Sequence, residues 1–282
     1  MNLFGVRLKL HPLFGLIMAA SVLTGYFLEL LTLFAIVLIH ELGHAAMAGH
    51  YGWKVTEIRL LPFGGVVLAD QTGIVPAREE LWVALAGPLQ NAWMIGFARL
   101  AVHFGVWEAE WGQYFMTANL MIALFNLIPA LPLDGGKVMQ ALLSMWLPYY
   151  RSLTLSLWVS LGMSLFVAGF ALLEPYGAGI QLNLLIIGVF LLYSNWVALR
   201  HLPYQYLRFL MNRPSKVAQL IENGIQAEPI VVSTSQTVSD MLRLLKRDRH
   251  HIYYFQGKDG RTEGVFPESS LVARYFRLFR HE

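Results

Sequence analysis

His40, Glu41 and His44 lie within five consecutive residues of an apolar stretch and could together bind a divalent metal ion and activate water. Residues four apart share one face of a helix, so the two imidazoles can bind one Zn²⁺ ion while Glu41 serves as general base. Ionisable groups at membrane depth are costly unless they face a protein interior or a cavity. A solvated helix face is therefore excluded, and the remaining alternative is a buried structural polar network.

Asp134 is the best candidate for a third metal ligand. A catalytic zinc site usually has about three protein ligands and an open position for water, and acidic residues are scarce in the apolar part of the chain. Prolines and glycines interrupt regular helix in the surrounding segment, Asn-Leu-Ile-Pro-Ala-Leu-Pro-Leu-Asp-Gly-Gly-Lys. Non-helical backbone is tolerated at membrane depth where it lines a cavity. Alternatively, Asp134 caps the helix that begins near Gly135, and its carboxylate could serve both purposes.

The composition is that of a polytopic membrane protein with a smaller polar part. The chain has 282 residues, of which 56% are hydrophobic and 14% charged, whereas soluble domains contain about 25% charged residues. It has no cysteine, which excludes disulfides, thiol catalysis, iron–sulfur clusters and Cys-ligated zinc. The net charge of +3 is too small to indicate nucleic-acid binding.

Apolar windows predict a membrane domain at residues 1–199 with six helical spans. The spans lie near residues 12–30, 31–49, 80–105, 113–130, 153–173 and 178–198. Up to residue 200, the loops of one side contain most of the basic residues, namely Arg7, Lys9, Lys54, Arg59, Arg78, Lys137, Arg151 and Arg200. Since Lys and Arg are enriched on the cytoplasmic side, we expect a multi-pass protein with both termini in the cytoplasm.

The last part of the chain is more polar and predicts a separate cytoplasmic α+β domain. Residues 200–226 form a basic and aromatic linker that could lie on an anionic membrane surface or be a plain solvated helix. Residues 227–282 form the domain. Its predicted strands are 229–232, 251–255 and 263–266, and its predicted helices are 238–247 and 268–279.

The His-Glu-x-x-His segment and the later Asn-x-x-Pro-x-x-Pro-Leu-Asp-Gly-Gly segment together resemble the site-2 protease family of intramembrane zinc metalloproteases. The resemblance covers roughly the first half of the chain. It implies a zinc endopeptidase with the ligands His40, His44 and Asp134. It also implies that Glu41 is the general base and that Asn126 holds the substrate or polarises the scissile carbonyl. The implied fold is an all-α polytopic membrane domain with a short membrane-entering loop or hairpin.

Two further segments resemble parts of the same family. Leu61–Val67 resembles the membrane-entering loop, in which Phe63, Gly64 and Gly65 would bind the substrate. An exposed backbone edge there can accept an unwound substrate strand, and the alternative is an ordinary turn. Ala86–Asn91 resembles the third core helix, whose glycine and proline we expect to serve helix packing.

The tail resembles a single cystathionine-β-synthase-type (CBS-type) regulatory module. Such modules work in pairs, so the resemblance implies a homo-oligomer formed through this domain, and it makes ATP a candidate ligand. Gly264-Val265-Phe266 is followed by Pro267 and, three residues later, Ser270, where the module family often has Ser or Thr and then Asp. We expect the tail to regulate cleavage rather than to catalyse it.

The order of these parts is similar to that of the site-2 proteases that act in bacterial spore formation. This similarity implies a membrane-associated or membrane-tethered pro-protein as substrate, specifically a pro-sigma factor. It also implies inhibitory membrane proteins as partners and a location in the membrane around the forespore. Two alternatives from other classes are a nucleotide-sensing membrane transporter, which inverted repeats would support, and a catalytically inactive zinc-binding scaffold.

Overall fold

The structure, a computed structural model, describes residues 2–3, 6–10, 12–61, 64–70, 73–173, 181–233, 235–257, 259 and 261–278. The chain divides into two units. The first unit consists of Met1–Gln71, Glu79–Pro129 and Leu133–Val138. The second unit consists of Thr72–Arg78, Ala130–Pro132 and Met139–Glu282.

The chain begins its helical part with α1, Pro12–Thr24, and α2, Phe27–His50. Gly25 separates them with a φ of 82°, which glycine adopts without steric cost. The predicted boundary between the first two spans at residue 30 is therefore wrong, because the helix breaks at Gly25. The later apolar windows correspond to α3, Ala77–His103, and α4, Ala109–Asn126.

Three of these helices form an apolar cluster next to the polar motif. Ile36 of α2, Met94 of α3 and Ala118 of α4 are buried against one another. Their packing places the polar face of α2, which begins at His40, next to α3 and α4.

A four-stranded sheet accompanies the helices of the first unit, so this part of the chain is mostly helical, as predicted, but not all-α. Its strands are β1, Asn2–Leu3; β2, Val6–Leu10; β3, Lys54–Leu61; and β4, Gly64–Asp70, in that order across the sheet. Strands β2 and β3 are parallel, and β3 and β4 form an antiparallel hairpin. Lys9 Nζ lies 2.9 Å from the buried Glu57 Oε2 across the parallel pair.

The second half of the chain contains three further long elements, α5, Asp134–Trp146; α6, Tyr149–Leu172; and α7, Leu182–Glu222. Helices α6 and α7 approach closely, since a Cβ on Gly188 would lie 2.7 Å from Cα of Ala168. Of the residues that the structure describes, α2, α6 and α7 contain windows long and apolar enough to cross a membrane. Helix α1, with 13 residues, is only about 20 Å long.

The segment expected as a linker is the second half of α7, which continues without interruption to Glu222. Its buried side chains Tyr206, Phe209 and Leu210 pack with Val232 and Leu242 in the core of the C-terminal part. A helix whose apolar face is buried in this way is a structural part of that core.

The C-terminal part has the predicted order of strands and helices. It consists of β5, Glu228–Ser233; α8, Val238–Leu242; β6, His251–Gln256; β7, Thr262–Pro267; and α9, Glu268–Leu278. Strand β5 pairs in parallel with β6, and β6 pairs antiparallel with β7. Helix α8 ends earlier than the predicted residue 247.

Candidate metal centre

Helix α2 places His40 and His44 on one buried face. The two side chains are four residues apart, and their Nε2 atoms lie 3.2 Å from each other. The residues are 2% and 6% exposed. Two imidazole nitrogens at this separation, shielded from solvent, can bind a single cation that lies between them and a third ligand.

Asp134 supplies that third group. Its Oδ2 lies 3.0 Å from Nε2 of His40 and 3.0 Å from Nε2 of His44. Asp134 is the first residue of α5, and the turn before it is tight, since a Cβ on Gly135 would lie 2.2 Å from the carbonyl oxygen of Leu127. The predicted trio of His40, His44 and Asp134 is thus assembled at one point.

The second oxygen of this carboxylate has a different partner. Lys137, one turn later on α5, places its Nζ 3.3 Å from Oδ1 of Asp134. Half of the Lys137 side chain is exposed. The ammonium group therefore leaves Oδ2 free to face the histidines.

Each histidine is oriented by a contact to its other ring nitrogen. His44 Nδ1 lies 2.7 Å from the carbonyl oxygen of Val83, which can only accept, so Nδ1 carries the proton and donates it. His40 Nδ1 lies 2.6 Å from Oδ1 of Asn91. With Nδ1 of His44 acting as the donor, the lone pair of its Nε2 faces the point that Asp134 Oδ2 also faces.

Gly87 of α3 lies against the two imidazoles. A Cβ at this position would lie 2.3 Å from Nε2 of His44 and 2.5 Å from Nε2 of His40. Any side chain would occupy the space in front of the ligand nitrogens. From the sequence we expected this glycine to serve helix packing only. Its position against the ligand nitrogens could not be inferred, because glycine has no functional side chain that would indicate a role at a metal site.

Glu41 is 7% exposed and belongs to the same cluster. A carboxylate oxygen of Glu41 and one nitrogen from each of His40 and His44 lie within 4.8 Å of one another. Glu41 is thus close enough to take a proton from a water bound at the cluster.

The other predicted site residues have different surroundings. Asn126, the last residue of α4, is half-buried, and its Nδ2 donates to the carbonyl oxygen of Ile122 in its own helix at 3.0 Å. Phe63 lies outside the described residues. Gly64 and Gly65 begin β4 and pair with Leu61 and Leu60 of β3. Strand β4 is the last strand at one side of the described sheet.

Comparison with known proteins identifies the family of the chain. The model of peptidase family M50 matches residues 28–107. Stage IV sporulation protein FB of Bacillus subtilis is 33% identical over 271 residues, which are 96% of this chain and 92% of that protein. This chain belongs to peptidase family M50, the site-2 proteases. A zinc metalloprotease of Methanocaldococcus jannaschii is 33% identical over 184 residues, which cover 61% of this chain and 53% of that protein.

A solved structure agrees with the family assignment. The site-2 protease from Methanocaldococcus jannaschii matches with a TM-score of 0.55 and 28% identity, over 70% of this chain and 93% of that one. The chain is therefore a membrane-embedded zinc metalloendopeptidase, and the His-Glu-His group of α2 fits Zn²⁺. Membership of this family argues against the transporter alternative.

Proposed function

We propose that His40, His44 and Asp134 bind the zinc ion of this protease. The observation that carries the proposal is the meeting of both Nε2 atoms with Asp134 Oδ2, at 3.0 Å each. Two imidazoles and one carboxylate are a donor set that zinc accepts, and they leave one position for water or substrate. The space in front of Gly87 leaves room for the ion. Bound zinc would supply an activated water and a polarised scissile carbonyl.

Glu41 is the proposed general base. Its carboxylate takes a proton from the attacking water and passes it to the nitrogen of the departing peptide segment. Burial beside the histidines keeps the carboxylate near the reacting atoms and away from bulk solvent. The presence of this residue argues against an inactive scaffold, which would need the ligands alone.

The proposed substrate path uses the edge of the sheet. A helical substrate has no free backbone for attack, so it must unwind before cleavage. Strand β4 is the outermost strand of the sheet that the structure describes, and an unwound segment can add to such an edge through backbone hydrogen bonds. We propose that Phe63, Gly64 and Gly65 bind the substrate and that Asn126 holds it or polarises its carbonyl.

The proposed substrate is a membrane-associated or membrane-tethered pro-protein, specifically a pro-sigma factor. The support is the similarity to Stage IV sporulation protein FB, whose name refers to sporulation and which this chain matches over 96% of its length. By the same similarity, we propose a location in the membrane around the forespore and inhibitory membrane proteins as partners.

We further propose six membrane helices, α1 to α4, α6 and α7, with both termini in the cytoplasm. The excess of Lys and Arg in the loops of one side supports this orientation. On this orientation the metal centre lies near the cytoplasmic face, because His44 is six residues from the end of α2 at His50, or about 9 Å along the axis.

The tail is proposed to be a CBS-type regulatory domain. A cavity of about 450 Å³ lies between β7 and α9, lined by aromatic, acidic and basic side chains including Phe266, Glu263 and Arg274. A base could stack on the aromatic ring, and the guanidinium could contact a phosphate, so ATP is the proposed ligand. Val231, Tyr254 and Val265 lie side by side across the outer sheet face, which supports pairing with the tail of a second chain.

The test of the proposed protease chemistry is co-expression of the wild type or Glu41→Gln with a candidate pro-sigma factor. Since general acid–base catalysis contributes about 10²- to 10⁴-fold, we expect Glu41→Gln to reduce product on gels below detection. Its zinc content and membrane insertion should equal those of the wild type. Glu110→Gln, at the start of α4, is the matched control and should cleave normally. Near-wild-type cleavage by Glu41→Gln would exclude Glu41 as the base.

A further inference from the structure

We propose that Asn91 and Asn119 form a side-chain relay that holds His40 in the tautomer that a metal requires. The relay makes Asn91 a positioning residue for the metal centre, acting through His40. The inference rests on the proposed zinc site and extends it to two residues that the motif does not contain.

The relay connects three helices in an interior shielded from solvent. Asn91 of α3 and Asn119 of α4 are both 0% exposed. His40 Nδ1 lies 2.6 Å from Asn91 Oδ1, and Asn91 Nδ2 donates to Asn119 Oδ1 at 3.1 Å. Asn119 Nδ2 donates in turn to the carbonyl oxygen of Phe115 at 2.9 Å. Every step of this chain is within hydrogen-bond distance.

The direction of the relay follows from its fixed end. A backbone carbonyl can only accept, so Phe115 requires the amide nitrogen of Asn119 to face it. The oxygen of Asn119 then faces Asn91, which must present its own nitrogen there. The oxygen of Asn91 is thereby turned toward His40, where it can only accept. His40 Nδ1 must donate, and the lone pair of Nε2 remains free for a metal.

The two histidines reach the same state by different means. His44 donates directly to the carbonyl oxygen of Val83, which no side-chain substitution can remove. His40 depends on two side chains, and reversing the Asn91 amide would place an NH₂ group against Nδ1. The proton would then move to Nε2, and the ring could not bind the ion.

The competing explanation is that the two amides only join α3 to α4. A structural role of that kind would change the stability of the protein but not its affinity for metal. The two explanations therefore differ in a zinc titration and in the absorption spectrum of Co²⁺ bound in place of zinc, neither of which needs substrate.

The experiment uses the full-length protein, purified in detergent and freed of metal, and titrates it with zinc against a chromophoric chelator. Loss of a hydrogen-bond partner behind a ligating histidine typically costs about 10- to 100-fold in affinity. We expect that loss in Asn91→Leu, together with a changed Co²⁺ spectrum. Asn91→Asp keeps an acceptor for His40 and should bind zinc nearly as the wild type does. Asn119→Leu should also weaken zinc binding, although Asn119 does not contact His40. The loss should be smaller than in Asn91→Leu.

The outcomes separate this inference from the proposed function. A wild type that binds no zinc would overturn the proposed metal site and the relay with it. Wild-type affinity in Asn91→Leu would overturn the relay alone, as would an equal loss in Asn91→Leu and Asn91→Asp. If Asn91→Leu does not fold, Asn119→Leu decides, because unchanged zinc affinity in that variant contradicts the relay.

Discussion

The protein buries a histidine–carboxylate contact in each unit, and the two contacts differ in what the chain itself supplies to the carboxylate. In the first unit, Asp134 Oδ2 faces the Nε2 atoms of His40 and His44. In the second unit, Glu268 accepts from Arg213 Nε at 2.6 Å and lies 2.9 Å from His251 Nδ1. The first carboxylate oxygen meets groups whose lone pairs face it, whereas the second carboxylate meets donors.

The donors around Glu268 are numerous for a buried group. Arg213 reaches both oxygens, and two further N–H groups donate to the carbonyl oxygens of Arg247 and Arg249. The backbone N–H of His251 also donates to Glu268 at 2.9 Å. Arg213 lies on α7 and Glu268 begins α9, so the cluster fastens the long helix to the C-terminal core.

The comparison shows that the groups around a buried carboxylate distinguish a structural cluster from a metal site. Where the chain provides its own cation and donors, as at Glu268, the carboxylate is satisfied by the protein itself and its role is structural. Where imidazole nitrogens and a carboxylate oxygen converge on one point, as at Asp134, an external cation completes the cluster. Residue types alone do not separate the two cases, since both contain histidine and a carboxylate.

The comparison predicts that the first cluster needs a metal ion, and the largest expected effect on that metal is from a substitution of Gly87. Gly87→Ala should abolish zinc binding, because its Cβ would lie 2.3 and 2.5 Å from the two Nε2 atoms. Zinc content of the purified protein, measured by atomic emission, checks this. Gly96→Ala on the same helix is the control, since a Cβ there meets nothing within 4 Å. Normal zinc content in Gly87→Ala would show that the ligands do not occupy the positions described.

A substitution in the second cluster should lower the stability of the C-terminal part and leave the zinc content unchanged. Glu268→Gln leaves the buried guanidinium of Arg213 uncompensated, and breaking such a pair costs about 3–5 kcal/mol. We expect protease cleavage within residues 200–278 at a clearly lower temperature, with unchanged zinc content. Glu222→Gln, at the exposed end of α7, should leave that temperature unchanged. Zinc loss in Glu268→Gln would contradict the separation of the two clusters.

Lowering the pH is expected to have a smaller effect on the stability of the C-terminal part. Burial opposes ionisation of Glu268, but hydrogen bonds from His251 and Arg213 outweigh it and hold the pKa of Glu268 below its ordinary value. A lowered pKa in the folded state contributes stability that is present at neutral pH and is lost as the pH falls through the folded-state pKa.

We therefore expect protection of the C-terminal part against an acid-active protease to decrease below about pH 4, the ordinary range of a glutamate. Glu268→Gln should decrease less over the same interval, since it has no carboxylate to protonate at this position. Equal acid sensitivity of the two proteins would assign the effect to other groups.

The sequence predicted the parts of the molecule that follow local rules. The spacing of His40 and His44 placed both rings on one helix face, and the scarcity of carboxylates singled out Asp134. The strands of the tail alternate and are separated by turns, so their order was predicted correctly. These features depend on residues close together in the chain or on a residue type that is rare there.

The remaining features depend on contacts between distant segments. Strand β2 pairs with β3, fifty residues later, whereas the sequence analysis assigned Arg7 and Lys9 only to a basic loop. The second half of α7 was assigned to a linker, because its burial depends on side chains that follow much later in the chain. Asn91 carried a signal, a polar residue in an apolar helix, but its partner on α4 could not be inferred from one sequence.

The central claim, that His40, His44 and Asp134 bind the zinc ion of this protease, is tested most directly by metal analysis. The comparison is between the purified wild type and the double variant His44→Ala with Asp134→Ala. The account predicts one zinc per chain in the wild type and none in the double variant, with both proteins inserted in the membrane. Full zinc occupancy in the double variant would contradict it.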